Sequence, residues 1–266
     1  MPSRDVIPLD AGDLALAAAL VVIAGAVSVA LRLSLERKLL IAAVRTVVQL
    51  LLVGYLLTRV FAMDQLWLVA LVFALMIAAA GRAAVQRTRR SYTGATGDAA
   101  LTLALTGLVT TIAVTALIIG VRPWWRPQYA IPLLGMILGN GLTGISLSLD
   151  SLLTSLSEGR ARIEMELALG ATRWEAVRTP LAEAVRRGMI PILNSMTVVG
   201  IVSLPGMMTG QILAGADPLD AVKYQIVVMF MLAAATAMGS MGVAVLAYRR
   251  LFNARHQLVS ERIHDR

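Results

Sequence analysis

Long apolar runs alternate with short polar segments along almost the whole chain. A helix crossing the hydrocarbon of a bilayer needs roughly 20 predominantly apolar residues. Runs close to that length occupy Leu14–Leu31, Leu39–Thr58, Leu66–Gly81, Ala99–Val121, Tyr129–Leu153, Met189–Ala214 and Val222–Tyr248. The third is short, and the sixth is interrupted by Pro205-Gly206. Open strands would leave edge groups unsatisfied in lipid, so the runs predict helices. The pattern predicts an all-α, polytopic transmembrane bundle of about seven spans. It forms a single transmembrane domain over 1–266, with one larger polar insertion at 154–188 and a polar tail at 249–266.

Composition supports lipid as the solvent. Of 266 residues, 58% are hydrophobic and 15% charged, against about 25% charged in soluble domains. The net charge of +8 sits at the ends of the apolar runs, which points to anionic lipid rather than nucleic acid. With the N-terminus outside, 18 of the 24 lysines and arginines fall on inner segments, 5 fall outside, and Arg45 lies within a span. The positive-inside rule therefore predicts an outer N-terminus and an inner C-terminus. Tyr55, Trp67, Trp124, Trp125 and Tyr129 then fall at the outer interface, where amphipathic rings settle. Ser28-Val29-Ala30 resembles a signal cleavage site. Asp5, Asp10 and Asp13 stand where positive charge is expected, so the first run is read as a retained span. There are no cysteines, and both histidines, His256 and His264, lie in the tail.

The insertion at 154–188 carries the clearest local signals. Ile163, Leu167, Gly170, Trp174 and Val177 are spaced four, three, four and three apart, one apolar stripe at helical period. Gly170 suits the C′ position that ends a helix, and Thr172 with Glu175 makes a capping box that starts the next. Thr179-Pro180 reads as a further cap, so two or three short helices are expected. Trp174 is either an anchor for a pocket on another protein or part of a stripe lying on the membrane or on the chain's own helix ends.

Glu164-Met165-Glu166-Leu167-Ala168-Leu169-Gly170-Ala171 resembles the cytoplasmic coupling motif of ABC-transporter permeases, a glutamate six residues before a glycine-alanine pair. The usual two alanines after the glutamate are Met165 and Glu166 here, and Pro180 comes earlier than the customary proline. The wider chain is similar to the Fet-type iron-export ABC permeases, which include plant aluminium-tolerance relatives. The similar segments are Arg45–Leu50, Gly135–Asn140, Ala168–Thr172, Pro191–Asn194, Leu204–Gln211 and Val222–Gln225.

The resemblance implies an inner-membrane permease subunit, a homodimer paired with a separate cytoplasmic ATPase. The chain has no GxxxxGK[ST] loop, so it is not expected to be the ATP-hydrolysing enzyme; ATP and Mg would sit on the partner. Ile163, Glu164, Glu166, Leu167, Gly170, Ala171, Trp174 and Glu175 would then form the ATPase-coupling surface, by the helix-in-groove mode. No cofactor is expected in this chain, and no metal ligand is assigned.

Polar residues within spans are pathway candidates. Arg45 and Gln49 share one face of the second run, although Arg45 is close enough to the inner end to snorkel. Gly135 and Gly139 offer a small-residue packing face beside Asn140, and Ala235 with Gly239 repeats the theme in the last run. Around the Pro205-Gly206 interruption stand Asn194, Met207, Met208, Thr209 and Gln211. Breaks of this kind line cavities in transporters, or are kinks satisfied by Ser203 or Thr209. No span carries histidine, cysteine or a central carboxylate, the usual iron ligands. Weak passage of iron, a chelated ion, or a polar solute such as a nucleotide sugar all remain open. A secondary transporter would place a carboxylate or histidine deep in a span, and an intramembrane enzyme would need a catalytic constellation that is absent from the sequence.

Overall fold

The computed structural model describes residues 10–253 and 257–265. Arg4, Asp5, Arg255, His256 and Arg266 lie outside the described residues. The chain divides into two units, one built on the first 65 residues together with 213–216, the other on the remainder.

The first unit is a helical hairpin, α1 (Ala11–Ala30) and α2 (Glu36–Met63). Asp10 and Asp13 close the start of α1 with reciprocal side-chain to backbone hydrogen bonds. Two left-handed residues, Arg32 and Ser34, turn the chain. Ser28 staples that turn: its hydroxyl donates to Glu36 (3.0 Å) and accepts from the Leu35 N–H (3.0 Å). Leucines and valines cover the outward surface of both helices, as lipid-facing helices require.

The second unit contains α3 (Leu66–Gln86), β1 (Arg90–Tyr92), α4 (Ala95–Ile112, extended by a π-helical stretch Ala113–Ile118), α5 (Pro127–Glu158), α6 (Arg160–Ala168), α7 (Arg173–Val198), α8 (Gly206–Leu213), α9 (Pro218–Leu251) and β2 (Ile263–Asp265). Its core is made where α5, α7 and α9 meet, with Leu134, Ile145, Leu149, Val177, Ala184, Val243 and Ala247 buried. These three helices close on one another at Gly144 of α5 and Gly188 of α7. A Cβ on Gly188 would stand 2.7 Å from the Gly144 carbonyl and 2.6 Å from Ser240 Oγ of α9. The small-residue contact expected at Gly135 and Gly139 lies elsewhere: a Cβ on Gly139 meets nothing within 4 Å, and one on Gly135 touches only Met76.

Among the described residues, six helices are long and apolar enough to cross a membrane: α1, α2, α3, α4 with its extension, α5 and α9. The sixth expected run, Met189–Ala214, is divided between the end of α7 and α8. At about 1.5 Å per residue neither piece alone matches the roughly 30 Å of hydrocarbon. Nor does Pro205 make the break alone. A proline blocks the carbonyl four residues back, which is that of Ile201, and α7 has already ended at Val198. Gly200 follows with φ +82°, and the Val198 carbonyl accepts the Val202 N–H at 2.9 Å. Pro205 instead precedes α8, where its carbonyl accepts both the Thr209 N–H (3.0 Å) and the Thr209 hydroxyl (3.2 Å).

Two further expectations are corrected. Pro180 starts no new helix, because α7 runs through it and through Pro191. The backbone hydrogen bond that Pro180 cannot donate is offset by burial of Ala176, Val177, Leu181 and Ala184 on the same face. The polar segment from 249 onward is not merely a tail: α9 continues to Leu251, and β2 pairs antiparallel with β1, Ser91 opposite His264.

Candidate functional site

The segment expected to couple to an ATPase is built from local signals. α6 ends in a Schellman arrangement. Gly170 (φ +95°) donates its N–H to Leu167 O (3.1 Å), and Ala171 donates to Glu166 O (3.1 Å). Two residues later α7 begins with the capping box. The Glu175 N–H donates to Thr172 Oγ1 (3.3 Å), and Glu175 Oε2 accepts the Thr172 N–H (2.8 Å) and hydroxyl (2.8 Å). These Thr172 donors hold the Glu175 carboxyl below its ordinary value. A depressed folded value gives stability that is present above the unfolded value and lost as pH falls through the folded one. Thr172→Ala is expected to cost about 1 kcal/mol, read as a lower Tm of the purified protein.

The apolar stripe is divided between two surroundings. Ile163 is fully buried and Val177 likewise, so both pack inside the chain. Trp174 stands edge-on to Tyr248 of α9, ring centroids 6.0 Å apart, with Arg173 over the same tyrosine at 5.7 Å. The tryptophan is nevertheless 47% exposed, and Met165 and Leu169 are 57% and 81% exposed. Glu164 pairs with Arg160 (2.6 Å) and Glu166 with Arg162 (3.9 Å), both one helical turn apart. The outward face of this corner is therefore apolar at Met165, Leu169 and Trp174, with charges already balanced along α6.

Two cavities flank the break between α7 and α8. One, of about 300 Å³, is walled by the break itself (Val199, Ser203, Pro205) together with Asn140 of α5 and Gln225 of α9. The other, of about 350 Å³, is walled by Tyr129, Gln211 and Tyr224. Met136 and Met207 belong to both linings. The side-chain amide oxygens of Gln211 and Gln225 (Oε1) are buried with no hydrogen-bond partner among the described residues. An unmet buried acceptor costs about 1–3 kcal/mol, so each is poised for a donor or a cation. Asn140 already donates to the Met136 carbonyl of its own helix (3.0 Å).

Of the expected pathway residues, Asn140, Pro205, Met207 and Gln211 line these cavities. Met208 is half-buried outside both linings, and Asn194 is exposed on α7. Arg45 and Gln49 occupy exposed positions of α2, in the first unit. Gln225 is a lining residue that the sequence reading does not place in the pathway. Its signal is a polar residue on the buried stripe of α9, three and four positions before buried Val228 and Met229. No group of three or more acidic, histidine or cysteine side chains gathers for a metal among the described residues.

A family model described as "Uncharacterised protein family (UPF0014)" matches residues 11–252. The chain belongs to this family. The UPF0014 match runs from α1 through α9 and so covers both units. A UPF0014 membrane protein of Synechocystis is 42% identical over 230 residues, 85% of this chain and 88% of that protein. The Escherichia coli protein named "Probable iron export permease protein FetB" is 36% identical over 248 residues, 93% and 94% of the two chains. The Arabidopsis thaliana protein named "ALUMINUM SENSITIVE 3" is 34% identical over 244 residues, 91% and 88%. No solved structure gives a significant match. As a UPF0014 member with six membrane-length apolar helices among the described residues, this is a multi-pass membrane protein.

Proposed function

We propose that the chain is the permease subunit of an ABC transporter, working as a homodimer with a separate cytoplasmic ATPase and exporting iron or a related metal species. ATP and Mg bind the partner, and α6 faces the cytoplasm with the C-terminus. The observation that carries the coupling is α6 itself. It is a nine-residue helix, too short to persist alone and fixed at its C-terminal end by a Schellman turn, yet the chain leaves Met165 and the adjoining Leu169 uncovered. Fully burying such a side chain is worth about 1.5–3 kcal/mol, which a groove on the ATPase would supply. Metal export rests on the likeness to the Escherichia coli protein bearing that name.

The structure changes which variants test this reading. Gly170 cannot accept a side chain without backbone strain at φ +95°, and Trp174 also packs on Tyr248. Leu169→Asp touches neither. It is expected to lower ATPase co-purification at least tenfold with normal membrane insertion; unchanged co-purification would contradict the docking surface.

The cavity chemistry favours a second cargo reading beside the first. Amide oxygens and thioethers line the two cavities, a set that suits a soft cation or a polar organic solute better than a tightly held ferrous ion. If iron is the cargo, deletion raises cell iron and peroxide sensitivity. No change in either would leave the polar solute.

A further inference from the structure

The largest of the cavities described for the second unit, about 610 Å³, lies between α6 and the chain after α9. One wall carries Glu164, Leu167 and Ala171, three residues of the coupling segment; the other carries Gln257, Ser260 and Glu261. We infer that the C-terminal segment 257–265 forms the second wall of the ATPase docking surface. The inference rests on reading α6 as the coupling helix, and adds a contact region outside the matched motif.

The geometry is direct. A partner side chain that reaches Glu164 or Leu167 from this side must enter the cavity, and it then touches the opposite wall. That wall is held in place by bonds to the helix ends. The Val259 N–H donates to the Leu251 carbonyl at 2.8 Å, and Leu258 is buried against the end of α9, bridged to Phe252. Further on, β2 pairs with β1, Arg90 Nε donates to Asp265 (3.0 Å), and Arg262 donates to the Arg250 carbonyl. Arg250 is itself locked: it ion-pairs with buried Asp98 at 2.6 Å, which also accepts the Tyr92 hydroxyl at 2.8 Å. Burial, then the Asp98 hydrogen bond, pushes the Tyr92 phenol up, so this bolt stays protonated at physiological pH. A wall fixed by so many bonds loses little entropy when a partner docks.

Charge specifies what enters. Glu164 is neutralised by Arg160 across one turn. Glu261 is exposed at the cavity and makes no ion pair among the described residues. With α6 as the coupling helix, the partner is the transporter's own ATP-binding subunit, presenting a cationic side chain opposite Glu261 and an apolar tip toward Leu167.

The chain has no cysteine, so a single introduced thiol is a clean probe. Ser260→Cys is labelled with a maleimide, with and without the ATP-binding subunit, and Arg89→Cys, off the cavity, serves as the reference. The expected result is at least fivefold protection of the thiol at 260 and none at 89, with Glu261→Lys weakening the complex at least tenfold. If the wild-type permease binds the ATPase while the thiol at 260 stays fully reactive and Glu261→Lys binds normally, the second wall is refuted and the role of α6 stands. If the wild type does not bind, both fall together.

Discussion

Gly188→Leu is expected to abolish a stable fold of the second unit, with loss of a monodisperse species in detergent. The reason is the crossing of α5, α7 and α9. The added Cβ alone would stand 2.7 Å from the Gly144 backbone carbonyl and 2.6 Å from Ser240 Oγ. A backbone oxygen of a helix cannot rotate aside as a side chain can, so the helices must separate. Overpacking a close-packed core costs about 1–3 kcal/mol and occasionally more, and three helices share this contact. Gly139→Ala is the matched control, since its Cβ meets nothing within 4 Å. It is expected to leave stability unchanged or raise it by up to about 1 kcal/mol. Size-exclusion profiles of both variants in one detergent, with thermal unfolding of Gly139→Ala against the wild type, measure the difference.

Met207→Trp is expected to reduce transport at least tenfold while leaving ATPase co-purification intact. Met207 and Met136 line both cavities beside the α7–α8 break, so one bulky, rigid ring at 207 obstructs both. Methionine is flexible enough to yield to a passing solute, and tryptophan is not. Met207→Leu nearly conserves volume and is expected to keep most activity. No residue of α6 lines either cavity, which is why coupling and passage separate in this experiment. Efflux from cells carrying each variant, with co-purification measured in parallel, checks both halves. Equal transport by the tryptophan variant would place the pathway elsewhere.

The features readable in the sequence are those written over a few consecutive residues or over long apolar runs. Spans over α1 to α5 and α9 follow from run length. Gly170 and the Thr172–Glu175 box mark the corner between α6 and α7, because caps are local chemistry. What cannot be read depends on partners distant in the chain. Pro180 has the local pattern of a helix start, and burial against the neighbouring helices carries α7 through it. Pro205 has the local pattern of a helix break, yet the turn at Gly200 ends α7 first. The tight crossing uses Gly144 and Gly188 rather than Gly135 and Gly139, a choice fixed by which helices meet. Ile163 shares its period with Leu167 and Trp174, and only packing shows that it turns inward. Gln225 needs a cavity to give it meaning. Strands of three residues, like β1 and β2, are too short to leave a periodic signal.

The proposed function has this membrane protein driven by a separate ATPase docked at α6. The most direct measurement is co-purification of the tagged permease with its own ATP-binding subunit, followed by ATP hydrolysis in liposomes with and without ferrous ion. The expected result is a stable complex whose hydrolysis rises with substrate, and loss of both complex and stimulation with Leu169→Asp. A permease that transports in liposomes with no ATPase present, or a complex indifferent to Leu169→Asp, would contradict it.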